Sequence, residues 1–269
     1  MLELIATVGK NITERWLSAI LLSGLLYMAV VGWVLLAGQR HALDLPWLAA
    51  RITDLWQHHA SSPGTAVVIT AVLLGGAGLA GMAVTMIAEE VVHRLWTIRG
   101  PLGWLDTRQE RTKAEWEERD PRPPSRYLPG RATVIGEHFR LIGERVDAQY
   151  GLSVILAWPR IWLLANADTR TLIGAAYRRY YSDAALAAWG VLYLPWTLRW
   201  WPAAVIAATL LALGYRRAVA SSAVLATLIE ATVDAHTKDL ADRLGVKVPE
   251  GRVTPEDGNR INDILNKRA

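Results

Sequence analysis

The stretch TAVVITAVLLGGAGLAGMAVTMIA, residues 65–88, contains no charged side chain. As a helix rising ~1.5 Å per residue it is roughly 36 Å long, enough to cross a hydrocarbon core of ~30 Å with some tilt. Lipid offers no partners for backbone N–H and C=O groups, so a stretch this apolar must be a helix or part of a closed barrel. It lacks the alternation of a strand, which leaves the helix. A second uncharged run, Leu17 to Ala37, has similar length. It is preceded by Lys10 and Arg15 in the manner of a signal peptide. It is longer than a secretory apolar core, however, and Gly38-Gln39-Arg40-His41 is no small-residue cleavage site, so a retained helix is expected.

Composition agrees with a membrane protein that keeps a polar part. Of the 269 residues, 52% are hydrophobic and 20% charged, and the charge concentrates in a central block and the tail. Cysteine is absent, which excludes disulfides, thiolate metal sites and cysteine nucleophiles. Phe occurs once but Trp thirteen times, and Trp favours the membrane–water interface, where its ring is apolar and its N–H finds a partner. The net charge of +4 is read through the placement of Lys and Arg around helix ends, and no nucleic-acid partner is expected.

Outward from the first run, Met1 to Trp16 forms a polar leader. Gln39 to Gly64 forms a linker in which Leu45, Leu48, Ile52 and Leu55 recur at helical spacing, as in a short surface helix. Helix two continues past Ala88 to Ile98 and breaks at Gly100-Pro101. Asp106 to Arg119 reads as an exposed helix ended by Asp120-Pro121-Arg122-Pro123-Pro124. Ile135, Phe139, Ile142 and Val146 form an apolar helical stripe, expected to pack on Ala223, Leu225, Leu228, Ile229 and Val233. Leu152 to Leu164 reads as an interfacial or re-entrant segment, and Thr169 to Asp183 as a basic, tyrosine-rich helix.

Ala184 to Leu198 and Trp200 to Tyr215 form a second apolar pair, each short for a full span. Arg199 between them would be costly in the middle of one long helix, so two helices with a tight tip are expected. The fourth helix runs on to about Leu244, with Gly245 as its cap. Thr254-Pro255-Glu256-Asp257 is a helix start, opening a terminal helix with Ile261, Ile264 and Leu265 on one side.

Arg94, Arg99, Arg178, Arg179, Arg216 and Arg217 fall on one side of four spans, against Arg40, Arg51 and Arg199 on the other. The expectation is an all-α, polytopic protein of the bacterial cytoplasmic (inner) membrane. It has four transmembrane helices in two hairpins, a helical cytoplasmic unit and both termini cytoplasmic. The divisions expected are 1–99, a transmembrane hairpin with a cytoplasmic extension; 100–182, a cytoplasmic helical region; 183–245, a second hairpin with its extension; and 246–269, a tail helix.

Chemistry is sparse. Gly76-Ala77-Gly78-Leu79-Ala80-Gly81 spells a dinucleotide fingerprint, but inside an apolar helix with no phosphate-facing N-terminus. Ala71, Gly75, Ala77, Gly78 and Gly81 are instead expected to let helices approach closely. Glu89 and His93 share a helix face at the depth of Glu230, Asp234 and His236, but no metal signature accompanies them. His41, His58 and His59 read as linker residues. No catalytic, cofactor or metal residue is assigned. Basic residues beside anionic lipid gain about 1 kcal/mol each, which makes Arg170, Arg178 and Arg179 with their tyrosines the best functional patch. Trp158, Arg160, Trp162, Arg178, Arg179, Arg199, Trp200 and Trp201 are expected at lipid headgroups.

The segments Tyr150-Gly151-Leu152, Trp158-Pro159-Arg160-Ile161-Trp162, Trp200-Trp201-Pro202, Leu228-Ile229-Glu230-Ala231, Asp234-Ala235-His236 and Ile261-x-x-Ile264-x-x-x-Lys267-Arg268 resemble uncharacterised integral membrane proteins of actinomycetes over roughly 131–269. The resemblance implies class and location and carries no activity. The expected function is non-enzymatic: a scaffold or effector subunit that couples a cytoplasmic partner to the membrane. Its partners are membrane lipids together with a protein or a second copy of the chain. The alternatives are a small homo-oligomeric channel or pore-forming effector, and a membrane enzyme acting on lipid. The first two spans carry few polar residues, and no His/Asp/Glu cluster is evident.

Overall fold

The computed structural model describes residues 22–39, 41–59, 63–98, 102–118, 124–248 and 251–267. The leader with Trp16, the start of the first apolar run, Arg40, Arg99, the Gly100-Pro101 break and the 119–123 run lie outside the described residues. So do the side chains of Leu55, Trp56, His58 and His59.

The described residues are helical, with no strand among them. In order they form α1 (Leu22–Ala37), α2 (Leu45–His59), α3 (Pro63–Met86), a π turn (Ile87–Val92), α4 (His93–Thr97) and α5 (Leu102–Glu117). These are followed by α6 (Val134–Tyr150), α7 (Val154–Leu164), α8 (Ala167–Tyr193), α9 (Pro202–Arg243) and α10 (Pro255–Leu265). They divide into two compact units, one of residues 1–90 and 185–214, the other of 91–184 and 215–269.

Among the described residues, two helical runs are long and apolar enough to cross a membrane, Val67–Thr97 and Pro202–Arg243. Four were expected. The described part of α1 is shorter, and the apolar end of α8 closes at Tyr193 where a 3-10 turn, Leu194–Leu198, carries Pro195. The basic helix expected over 169–183 and the span expected from Ala184 are one continuous helix. No Gly or Pro interrupts that junction, and Ala184-Ala185 propagates the helix through it. The hairpin itself is two helices, with Arg199 exposed at its tip.

In the first unit, small residues bring α1 and α3 together. A side chain at Gly24 would collide with the backbone of Ala77. The hairpin tip is held by polar groups of aromatic and amide side chains. Trp196 Nε1 donates to the Tyr27 hydroxyl at 2.8 Å, Trp200 Nε1 donates to the Ala42 carbonyl at 2.9 Å, and Gln39 Nε2 donates to the Leu198 carbonyl at 3.3 Å. Trp200 is only 5% exposed, so it is an anchor inside the protein and not a headgroup contact. Its N–H finds a protein carbonyl, which removes the reason for it to seek the interface.

The second unit has its own core. Ile135, Ile142 and Val146 of α6 join Ile161 of α7, Tyr180 of α8, Leu225, Ile229 and Val233 of α9, and Ile261 of α10. Phe139 and Leu228 pack against it partly buried, so most of the expected stripe meets the expected face of α9, while Ala223 stays outside the core. Thr133 caps α6 by accepting from Gly136 N, and Gly151 ends it at φ +63°. Thr254 and Asp257 form a reciprocal capping box that opens α10. Those hydrogen bonds from Thr254 hold the Asp257 carboxyl below its ordinary range.

One partly buried polar contact gives this unit an expected pH dependence. Ser222 Oγ donates to the Val219 carbonyl at 3.0 Å, so it accepts from His138 Nδ1 at 2.9 Å. Burial, then Arg145, lowers the His138 pKa from its ordinary 6.5, against an opposing push from Glu137. The fold therefore favours the neutral ring. Its contribution is complete above pH 6.5, declines below it, and is gone once pH falls under the lowered folded value. Melting of the second unit, followed between about pH 8 and 5, should fall on the acid side, and His138→Gln should flatten that fall.

Candidate functional site

Two helix faces in the second unit line an open cleft of about 270 Å³. Helix α8 contributes Ala176, Arg179 and Asp183, spaced three and four apart along one face. Helix α9 contributes Arg217, Ala220, Ser221 and Val224 by the same periodicity. Both faces lie within continuous helices, and helical geometry sets the side-chain directions.

Asp183 is 4% exposed, yet its Oδ2 accepts no hydrogen bond. The nearest cation is Arg179, whose Nε lies 3.5 Å away as a long ion pair one helical turn back. Arg179 itself is mostly exposed. The Arg217 guanidinium has neither hydrogen bond nor ion pair among the described residues. Ser221 spends its hydroxyl on the carbonyls of Arg217 and Ala218, at 3.2 and 3.4 Å. The cleft thus offers two guanidiniums with spare donors and one carboxylate with a spare acceptor, over a floor of alanine and valine.

Beside it in the same unit lies an aromatic cluster. Tyr180 is 1% exposed, its hydroxyl is 2.8 Å from His93 Nδ1, and its ring meets Phe139 edge-on at 5.6 Å. Burial pushes the Tyr180 and Tyr177 phenols up, so both stay neutral and serve as packing and hydrogen-bonding groups. Tyr180 was expected in a headgroup-facing patch. It is a core residue instead, because the α8 face that carries it packs inward. A second concavity, of about 590 Å³, is lined by Trp116, Tyr127, Arg145, Gln149 and Glu230 among others.

The remaining expected residues separate into groups. Ala77 and Gly81 are buried, whereas Ala71 and Gly75 are exposed, and a side chain at Gly75 or Gly78 would meet nothing among the described residues. Trp158 and Trp162 are partly buried with rings 5.9 Å apart, and Arg160 is exposed, its guanidinium donating to the Leu156 carbonyl at 2.7 Å. Arg170, Arg178, Arg199 and Trp201 are exposed. No group of three or more His, Asp or Glu residues is arranged for a metal ion among the described residues. His93 faces Tyr180, Glu230 pairs with Arg145 at 3.0 Å, and His236 Nδ1 lies 3.0 Å from the Thr232 carbonyl.

Of the cleft, only Arg179 was expected as a site residue. The available signal was Asp183 itself, a lone acid one helical turn after Arg179 and immediately before an apolar run. Set against known proteins, the chain matches no family model, no curated protein and no solved structure.

Proposed function

We propose that this chain is a multi-pass, non-enzymatic component of a bacterial cytoplasmic membrane that couples a cytoplasmic partner to the bilayer. The observation that carries the membrane half is the bareness of α3. Only 17% of the most apolar window of Val67–Thr97 is buried, and Val67, Val68, Val72, Leu79, Met82 and Met86 stand exposed. In water each would forgo roughly 1.5–3 kcal/mol of burial. Six together rival the ~5–15 kcal/mol stability of a whole domain, so a lipid surround is favoured over solvent. Four crossings are proposed. The runs beginning in α3 and α9 supply two of span length, and α1 and the Ala184–Leu198 segment supply two shorter ones.

The coupling half draws on the second unit, which has a core of its own and a charged surface. Exposed Arg94, Arg178, Arg179, Arg216 and Arg217 favour its location on the positive, cytoplasmic side. Helix α7 leaves Ile155 and Leu163 exposed next to Trp158 and Trp162, a pattern suited to the interface. The likeness to actinomycete membrane proteins belongs to the same proposal.

Topology reporters test it. One beside residue 58 should report the outside, and reporters after Glu117 and after Lys267 should report the cytoplasm. The chain should also resist extraction at alkaline pH. A soluble chain, or a cytoplasmic signal at residue 58, would overturn the four-crossing assignment. Photocrosslinkers at exposed Arg126 and Gln149 should yield protein adducts in cells, and none at either position would remove the coupling half.

A further inference from the structure

We infer that the cleft between α8 and α9 is a headgroup site for a zwitterionic aminophosphate lipid. The ligand's phosphate takes Arg179 and Arg217, and its ammonium takes Asp183. This rests on the membrane reading above and deepens it. The chemistry of the cleft selects the ligand. A simple anion suits the two guanidiniums, but the Asp183 carboxylate repels it. A simple cation suits Asp183 but meets two guanidiniums. A ligand carrying both signs a few bonds apart satisfies all three.

The bond ledger asks for the same partner. Asp183 is nearly enclosed and has an oxygen with no hydrogen bond, which is costly for a carboxylate unless a donor arrives. A primary ammonium brings up to three N–H donors. Arg179, exposed and held to Asp183 only at 3.5 Å, is free to swing. Turning its guanidinium toward a phosphate uncovers the carboxylate for the ammonium, and a bidentate guanidinium–phosphate contact replaces a poor ion pair.

Position favours a lipid source. In sequence Asp183 directly precedes the apolar run from Ala184, and Arg217 follows the apolar start of α9 by two residues from Tyr215. Both belong at headgroup depth in the proposed topology. The alanine and valine floor suits a glycerol stem better than water.

The experiment uses the full chain in dodecyl maltoside, with thermal unfolding measured against added lipid. Dioleoyl phosphatidylethanolamine should bind about tenfold more tightly than phosphatidylcholine, whose quaternary nitrogen has no N–H, or phosphatidylglycerol, which has no cation. Asp183→Asn and Arg217→Gln should each erase that preference. Arg217 is exposed, so its variant should melt like the parent without lipid, which separates lost binding from lost folding. Equal binding of the three lipids, or a preference surviving both substitutions, would overturn the site. Soluble glycerophosphoethanolamine binding as tightly as the lipid would overturn the lipid assignment. Alkaline extraction of parent and variants reports membrane integration separately: variants that stay integrated but lose the preference support the site, and a soluble parent would remove the membrane premise.

Discussion

Gly258→Ala should strip α10 from the second unit. A methyl group at Gly258 would overlap the carbonyl oxygen of Tyr150, a backbone atom that cannot step aside. Gly to Ala inside a helix ordinarily gains about 1 kcal/mol, so the expected sign is opposite to propensity. What is lost is the seat of α10. Asn262 holds the α6–α7 junction from both sides, donating to the Gly151 carbonyl and accepting from Ser153 N, each at 2.9 Å. Two such bonds contribute about 1 kcal/mol apiece, and burial of Ile261, fully enclosed, adds roughly 1.5–3 kcal/mol. The variant should therefore lose about 3–5 kcal/mol of docking, and Asn262→Ala nearer 2 kcal/mol. Trypsin cleavage after Lys247 reads this directly. Rapid cutting in Gly258→Ala, with slower cutting in Asn262→Ala, is the expected order. Parental protection of Gly258→Ala would mean that α10 does not seat on Tyr150.

These elements differ in how openly the sequence announces them. Helix α3 is evident because every residue from Thr65 to Ala88 is uncharged, and α10 because Thr254, Pro255 and Asp257 each favour a helix start for a separate local reason. The α6 stripe shows through periodicity alone. The seat of α10 is hidden. Asn262 reaches partners 109 and 111 residues away, and nothing local distinguishes it from an exposed amide. Trp200 misleads for the same reason. Its residue type points to the interface, but a carbonyl 158 residues distant takes its N–H. The cleft lies between these cases. Arg179 and Asp183 are one turn apart and readable as a pair, while Arg217 and Ser221 join them only through the meeting of α8 with α9. Local chemistry is legible, and long-range pairing of single polar groups is not.

The second large effect separates folding of the second unit from insertion of the apolar helices. Ile142 is 4% exposed and sits in the core with Val146, Leu225 and Ile229. Ile142→Asp forfeits roughly 1.5–3 kcal/mol of burial and adds the several kcal/mol cost of an unpaired carboxylate in an apolar site. The total, about 5 kcal/mol or more, reaches the ~5–15 kcal/mol that typically holds a domain together. Phe139→Asp is the milder partner, because Phe139 is only partly buried and a charge there can turn toward water. Insertion depends on different residues. The window within Val67–Thr97 carries its own apolar signal, and no residue of α6 belongs to it. Ile142→Asp should therefore stay in the membrane pellet after alkaline extraction, while trypsin cuts at Arg145, Arg160 and Arg170 become fast. Phe139→Asp should show the same sites at an intermediate rate. Protection equal to the parent in Ile142→Asp would show that the α6 stripe does not hold the core. Loss of Ile142→Asp from the membrane would show that the second unit must fold before the apolar helices can insert, which their uncharged sequence gives no reason to require.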